Sequence, residues 1–154
     1  MVRLLVSLTL LTLAAPAWAI TCSFTGITPV SFGTYDPSNP SPTQSTGRLL
    51  LDCERVRRPE TVQIQLSGGD AGSPTRRALG EVAGTATLRY NLYRDAARSL
   101  VWGDSTGGAV WRLRPGHPAW LRKRFFIPVY GELAAGQNVP VGAYRDTILV
   151  TLIY

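Results

Sequence analysis

A chain of 154 residues with 16 basic and 10 acidic side chains, a formal net charge of +6, has room for a real core but not for a two-barrel protease or a large α/β enzyme. Only 17% of its residues are charged, below the share of about 25% usual in soluble domains, which argues against long salt-bridged helices. With 15 glycines and 11 prolines it is turn-rich without reaching the composition of a disordered chain.

Residues 1–19 read as a secretory leader. Met1-Val2-Arg3 carries one positive charge, residues 4–15 are almost wholly apolar, and Ala17-Trp18-Ala19 fits a small-x-small cleavage site. The apolar run is too short to span a bilayer as a helix, so the chain that begins at Ile20 is expected to be exported and not inserted. Cys22 and Cys53 are the only cysteines. In an oxidising compartment an even count reads as a disulfide, and two cysteines allow one pairing. Two thiols and one distant histidine do not make a four-ligand metal site, so no metal and no cofactor is expected.

From Ile20 onward the signals are those of strands. Residues 20–25 and 30–35 read as short strands, followed by a Pro/Ser/Asn loop over 36–42. Residues 47–53 form the next strand, and 54–60 are polar. Over 61–66 the chain alternates, placing Val62, Ile64 and Leu66 on a buried face and Thr61, Gln63 and Gln65 on the other. Residues 67–78 read as a flexible excursion, in which Arg76 and Arg77, like Arg55, Arg57 and Arg58, are taken as solvated. Alternation returns over 85–94, with Ala86, Leu88, Tyr90 and Leu92 inward. Residues 100–102 and 109–113 flank a glycine-rich loop that reads as a hairpin turn. Residues 124–133 and 144–154 complete seven or eight strands, a pattern that argues an all-β sandwich. In the last segment Ile148, Val150, Leu152 and Tyr154 share one apolar face. An earlier strand covers both edges of that segment, or one edge stays open to another chain; both options stand at this point.

Three tempting sites are weighed on their chemistry. Gly103-Asp104-Ser105-Thr106-Gly107-Gly108 resembles the loop around a serine nucleophile, but the single histidine, His117, sits in a Pro-Gly-His-Pro turn and no oriented base is in view. No catalytic residue is assigned. The stretch 111–126 interleaves Trp111, Arg112, Arg114, Trp120, Arg122, Lys123 and Arg124, a pattern able to grip an anionic surface or polysaccharide. The plainer account is a strand with aromatics inside and arginines in water. Nucleic acid is set aside as a partner for an exported chain. The tyrosines at 35, 90, 93, 130 and 144 are read as packing, and Asp146 as bonding a turn.

Several fragments in order carry a family resemblance. They are Val30-Ser31-Phe32-Gly33-Thr34-Tyr35-Asp36-Pro37, Leu88-Arg89-Tyr90-Asn91-Leu92-Tyr93-Arg94-Asp95-Ala96, Val101-Trp102-Gly103-Asp104, Val129-Tyr130-Gly131, and Gln137-Asn138-Val139-Pro140-Val141-Gly142-Ala143-Tyr144-Arg145-Asp146-Thr147. The chain resembles the spore coat protein U domain family, which includes subunits of archaic Csu-type chaperone–usher pili. The resemblance covers essentially everything after the leader. It implies an immunoglobulin-like β-sandwich lacking its final strand. A periplasmic chaperone and then a neighbouring pilin subunit would fill the groove beside Ile148, Val150, Leu152 and Tyr154, with an outer-membrane usher exporting the fibre for attachment and biofilm formation. Cleavage after Ala19 leaves only Ile20 and Thr21 before Cys22. Two residues span about 7 Å, too little to donate a strand, so a tip or minor subunit is expected. The rival expectation is a self-complete secreted envelope or coat protein that binds an anionic surface through residues 111–126.

Overall fold

Period-two alternation builds the core, because residues two apart share a face of the pleat. The computed structural model describes residues 20–56, 61–113 and 120–153, so the expected leader and His117 lie outside the described residues. Among the described residues there are nine strands, one short 3-10 turn at Gly69–Ala71, no α-helix, and no helix long and apolar enough to cross a membrane. The strands are β1 (Thr21–Thr28), β2 (Thr43–Val56), β3 (Val62–Leu66), β4 (Ala78–Glu81), β5 (Thr87–Tyr93), β6 (Trp111–Leu113), β7 (Trp120–Leu133), β8 (Tyr144–Arg145) and β9 (Val150–Ile153). One sheet has the order β1-β2-β7-β5-β4-β8 and the other β6-β3-β9, with every strand pair antiparallel. The result is a curled, immunoglobulin-like all-β sandwich.

The frame of the larger sheet is the long pair β2 and β7, in register from Thr43 opposite Leu133 to Val56 opposite Trp120. Leu49, Leu51 and Cys53 of β2 and Ile127, Val129 and Leu133 of β7 turn inward and are buried. Val62, Ile64 and Leu66 of β3 meet them from the smaller sheet, as the alternation predicts, with Leu88, Tyr90 and Leu92 of β5 in the same core. Trp102 is fully buried, donates its indole N–H to the Ile64 carbonyl at 2.9 Å, and packs on Trp111 with ring centroids 5.2 Å apart.

Four expectations need correction. Residues 30–35 are not a strand. After Thr28 the chain crosses the inner face of the larger sheet, where Gly47 and Gly131 leave room for it. A Cβ on Gly131 would stand 2.5 Å from Val30 and 3.0 Å from Phe32, so the apolar alternation of 30–32 reports packing, not pairing. Residues 100–102 and 109–113 do not form a hairpin ladder: β6 pairs with β3, and the loop between them closes only through isolated bridges. The segment 144–154 is two strands, because the chain passes from the larger sheet at β8 to the smaller at β9. Arg77 is not solvated. It is 1% exposed, and its guanidinium donates to the carbonyls of Leu66, Ser67, Pro74 and Trp102 and to the Asn91 side chain at 2.6–3.1 Å. A buried cation is tolerated when its donors are all met by acceptors, as here. Burial pulls its pKa below the usual arginine value, but it stays protonated.

Candidate functional site

The core is open along one side. A cleft of about 220 Å³ runs between the end of β1 with the segment that follows it and the start of β9 with the segment that leads into it. Ile27, Val30 and Phe32 line one wall, Asp146, Ile148 and Val150 the other, and Leu49, Leu66, Leu92 and Val129 the base. Phe32 meets Tyr90 edge-on with centroids 5.9 Å apart, and the Tyr90 hydroxyl donates to Asp146 at 2.6 Å. Phe32 therefore lies at the Asp146 end, and the two walls run antiparallel. Ile27 stands opposite Leu49 in the β1–β2 ladder, yet it is 61% exposed while Leu49 is 3% exposed. An isoleucine on the core side of a strand is left wet only where the layer above it is missing.

The edges of the cleft carry free pairing capacity. β9 pairs with β3 from Leu66 opposite Val150 to Gln63 opposite Ile153. The Leu149 carbonyl accepts from the Ser67 N–H at 3.0 Å, and the Leu149 N–H donates to the Ser67 hydroxyl at 2.9 Å, so Leu149 faces β3. Antiparallel alternation then turns the N–H and C=O of Val150 and Leu152 toward the second edge, which no strand covers among the described residues. Among the described residues β1 likewise has a partner on one side only, β2. Of the residues expected to border a groove, Ile148 and Val150 line the cleft and Leu152 is half-buried against the same core. Tyr154 lies outside the described residues.

One end of the cleft is polar. Asp146 accepts from the Asp70 and Thr147 N–H groups, both at 2.8 Å, as well as from Tyr90. Burial, and the bond to Asp146 after it, push the Tyr90 phenol far above its usual pKa, so it remains a donor. The expected turn role of Asp146 is what the geometry gives, with a cleft position that sequence reasoning missed.

Cys22 and Cys53 form a disulfide and stand directly opposite one another in the β1–β2 ladder. The bond ties the first strand, and so one wall of the cleft, to the sheet. The stretch expected to grip an anion is divided. Trp111 and Arg112 belong to the smaller sheet, with Trp111 stacked on Trp102; Arg122, Lys123 and Arg124 belong to the larger. Arg124 forms a two-point ion pair with Asp52, both contacts 2.7 Å, and Arg122 lies 3.5 Å from Asp52 and 3.8 Å from Glu54. Lys123 lies over the Phe125 ring at 5.1 Å. Arg114 and the Trp120 side chain lie outside the described residues. Ser105 is exposed in a turn closed by Asp104, which accepts from the Thr106 N–H and hydroxyl. Among the described residues no three His, Cys, Asp or Glu side chains gather as a metal site.

Sequence reasoning located the β9 wall through its unbroken apolar face. It missed Ile27, Val30 and Phe32 as the facing wall, because their alternation is that of a strand. The signal was Gly47 and Gly131, small residues inside strands that invite another segment to lie over them.

Comparison with known proteins gives three findings. The model of the Spore Coat Protein U domain matches residues 8–151. "Protein U" of Myxococcus xanthus is 33% identical over 137 residues, which is 81% of this chain and 71% of that protein. A chain in the crystal structure of the CsuC–CsuE chaperone–tip adhesion subunit pre-assembly complex, from the archaic chaperone–usher Csu pili of Acinetobacter baumannii, superposes with a TM-score of 0.52 at 20% identity. That match covers 88% of this chain and 40% of the other, so the chain spans about two fifths of that relative's length.

Proposed function

The chain belongs to the Spore Coat Protein U domain family, and from that membership we propose that it is a subunit of a chaperone–usher surface fibre that takes a partner's β-strand into its open cleft. It is a structural, non-enzymatic protein. The observation that carries the proposal is the pairing of an apolar cleft with the outer edge of β9, at Val150 and Leu152, which no strand covers among the described residues. Unpaired backbone groups on a half-buried edge are costly, and an extended segment meets both needs at once. Its backbone pairs with β9 and its alternate side chains cover Ile27 and the base of the cleft. A periplasmic chaperone supplies the first such segment and a neighbouring subunit the second, with an outer-membrane usher between them. The fold neighbour supports this, since its structure is of a chaperone with a pilus subunit.

In this reading the leader is removed after Ala19, residues 20–154 form the exported domain, and the protein ends at the cell surface in attachment and biofilm formation. Thr21 already pairs with Glu54 and Cys22 is bonded to Cys53, so the chain from Thr21 onward is used in its own sheet. A chain cleaved at Ala19 then accepts a strand without donating one, which suits the tip or a minor position. The rival reading as an anion-binding coat protein draws no support from Arg122 and Arg124, which Asp52 and Glu54 already engage.

The test is to export the chain alone and with an alternating Val/Thr strand tethered after Tyr154 by a flexible linker. Rescue of soluble, cooperatively unfolding protein by the tether is the expected result. A stable monomer without the tether, with no gain from it, overturns the proposal.

A further inference from the structure

The described lining of the cleft is mainly apolar, Thr28 apart, and the polar pair that closes one end, Tyr90 and Asp146, is fixed in place. Among the described residues Asp146 is the one carboxylate in the lining. Its Oδ1 accepts from two backbone N–H groups and its Oδ2 from the Tyr90 hydroxyl. Behind it Gly69, at φ +64°, leaves no space: a Cβ there would collide with the carboxylate. Asp146 therefore cannot swing away from an incoming strand. Nor is its charge cancelled by contact, because no ion pair to it is found among the described residues. The nearby charges are Asp70, whose backbone it holds, and the buried Arg77, whose donors are spent on the carbonyls and Asn91. Arg145, next in the chain, is exposed.

Resting on the reading of the cleft as a strand acceptor, we propose that Asp146 fixes the register of the entering strand by admitting a hydrogen-bond donor or a cation, and rejecting a carboxylate, at the position that meets it. A carboxylate has about four acceptor positions, and three are filled here, so one remains for a donor from the strand. Apolar alternation alone fits equally well after a slide of two residues, because the side-chain period is two. A charged stop at one end removes that ambiguity. A strand slid so that an acidic residue meets Asp146 places two carboxylates together in a half-buried site, while serine, threonine, asparagine or lysine there gains a bond.

The experiment uses the full chain with the tethered Val/Thr strand, replacing each strand position in turn by Asp and, separately, by Lys. The readout is the thermal midpoint. The proposal expects one position, near one end of the strand, where Asp lowers the midpoint by about 5 °C or more and Lys does not. In the Asp146→Asn protein, which keeps the acceptor oxygen and loses the charge, that difference between Asp and Lys vanishes. If Asp146→Asn fails to fold, raised salt on the wild-type background serves, and the Asp penalty shrinks. An Asp penalty that is the same at every position, or that persists undiminished in both controls, overturns the register role while leaving the strand-acceptor reading intact. A tether that stabilises nothing in any version removes that reading, and this inference with it.

Discussion

Replacing Arg77 by Met should damage the fold more than any single change on the surface. The guanidinium satisfies three carbonyls in fully buried surroundings, those of Leu66, Pro74 and Trp102, at 3.1, 3.0 and 2.8 Å. It also satisfies the Ser67 carbonyl and the Asn91 side chain in half-buried ones. Leaving a buried acceptor unmet costs about 1–3 kcal/mol, so the three deepest carbonyls alone amount to about 3–9 kcal/mol. Methionine no longer has to be stripped of water as a cation does, which returns a few kcal/mol, and a net loss of about 3 kcal/mol or more is expected. Arg77→Lys keeps the charge but brings three donors where arginine has five, and it should fall between the two. Urea denaturation followed by tryptophan fluorescence measures this, since Trp102 accepts one of the bonds. A loss below about 1 kcal/mol for Arg77→Met would refute the reasoning, because it would mean that water or the backbone replaces the arginine without cost.

The other expectations concern charge, space, the cleft and the disulfide. Arg124, bonded to Asp52, holds the Asp52 carboxyl below its ordinary pKa of 3.8, so the pair adds stability above that value and loses it as pH falls through the lowered one. Asp52→Asn should therefore flatten the acid limb of a stability–pH curve, and an unchanged limb would count against the pair. Gly131→Val should cost about 1–3 kcal/mol in denaturation, because its side chain would need the space of Val30 and Phe32. Val150→Asp should abolish protection from protease by a tethered strand, while Thr151→Asp, on the exposed face of β9, should leave it. The Cys22→Ser, Cys53→Ser protein should lose about 3–4 kcal/mol, the cost of freeing a loop of this length in the chain-entropy model; equal urea midpoints would contradict that.

Much of the fold was legible because its strands follow the period of two that burial on one face imposes. Val62, Ile64 and Leu66, and Leu88, Tyr90 and Leu92, were placed correctly from alternation alone. What alternation does not carry is whether an extended segment pairs or merely packs. Residues 30–32 have the same pattern as a strand and lie over glycines instead. Nor does it show where a strand changes sheet, which is why 144–154 read as one element; the switch occurs between Arg145 and Val150, across Asp146. Arg77 was illegible because local sequence shows a turn-rich, polar stretch, and its five acceptor groups come from residues between 66 and 102. The disulfide was legible from the count of two cysteines behind an expected leader. Half of the cleft was legible from the apolar face of the last strand. The other half depends on a wall that declares itself only when Ile27 is found exposed on the inner side of β1.

The most direct test of the account is hydrogen exchange at four backbone amides of β9, in the chain alone and with the tethered strand in place. Alternation predicts that Thr151 and Ile153, facing β3, are protected in both states. Val150 and Leu152, facing the open edge, should exchange quickly in the chain alone and become protected when the strand is supplied. Val150 and Leu152 already protected without the strand, or still unprotected with it, would contradict the claim that this edge is where a partner's strand is taken up.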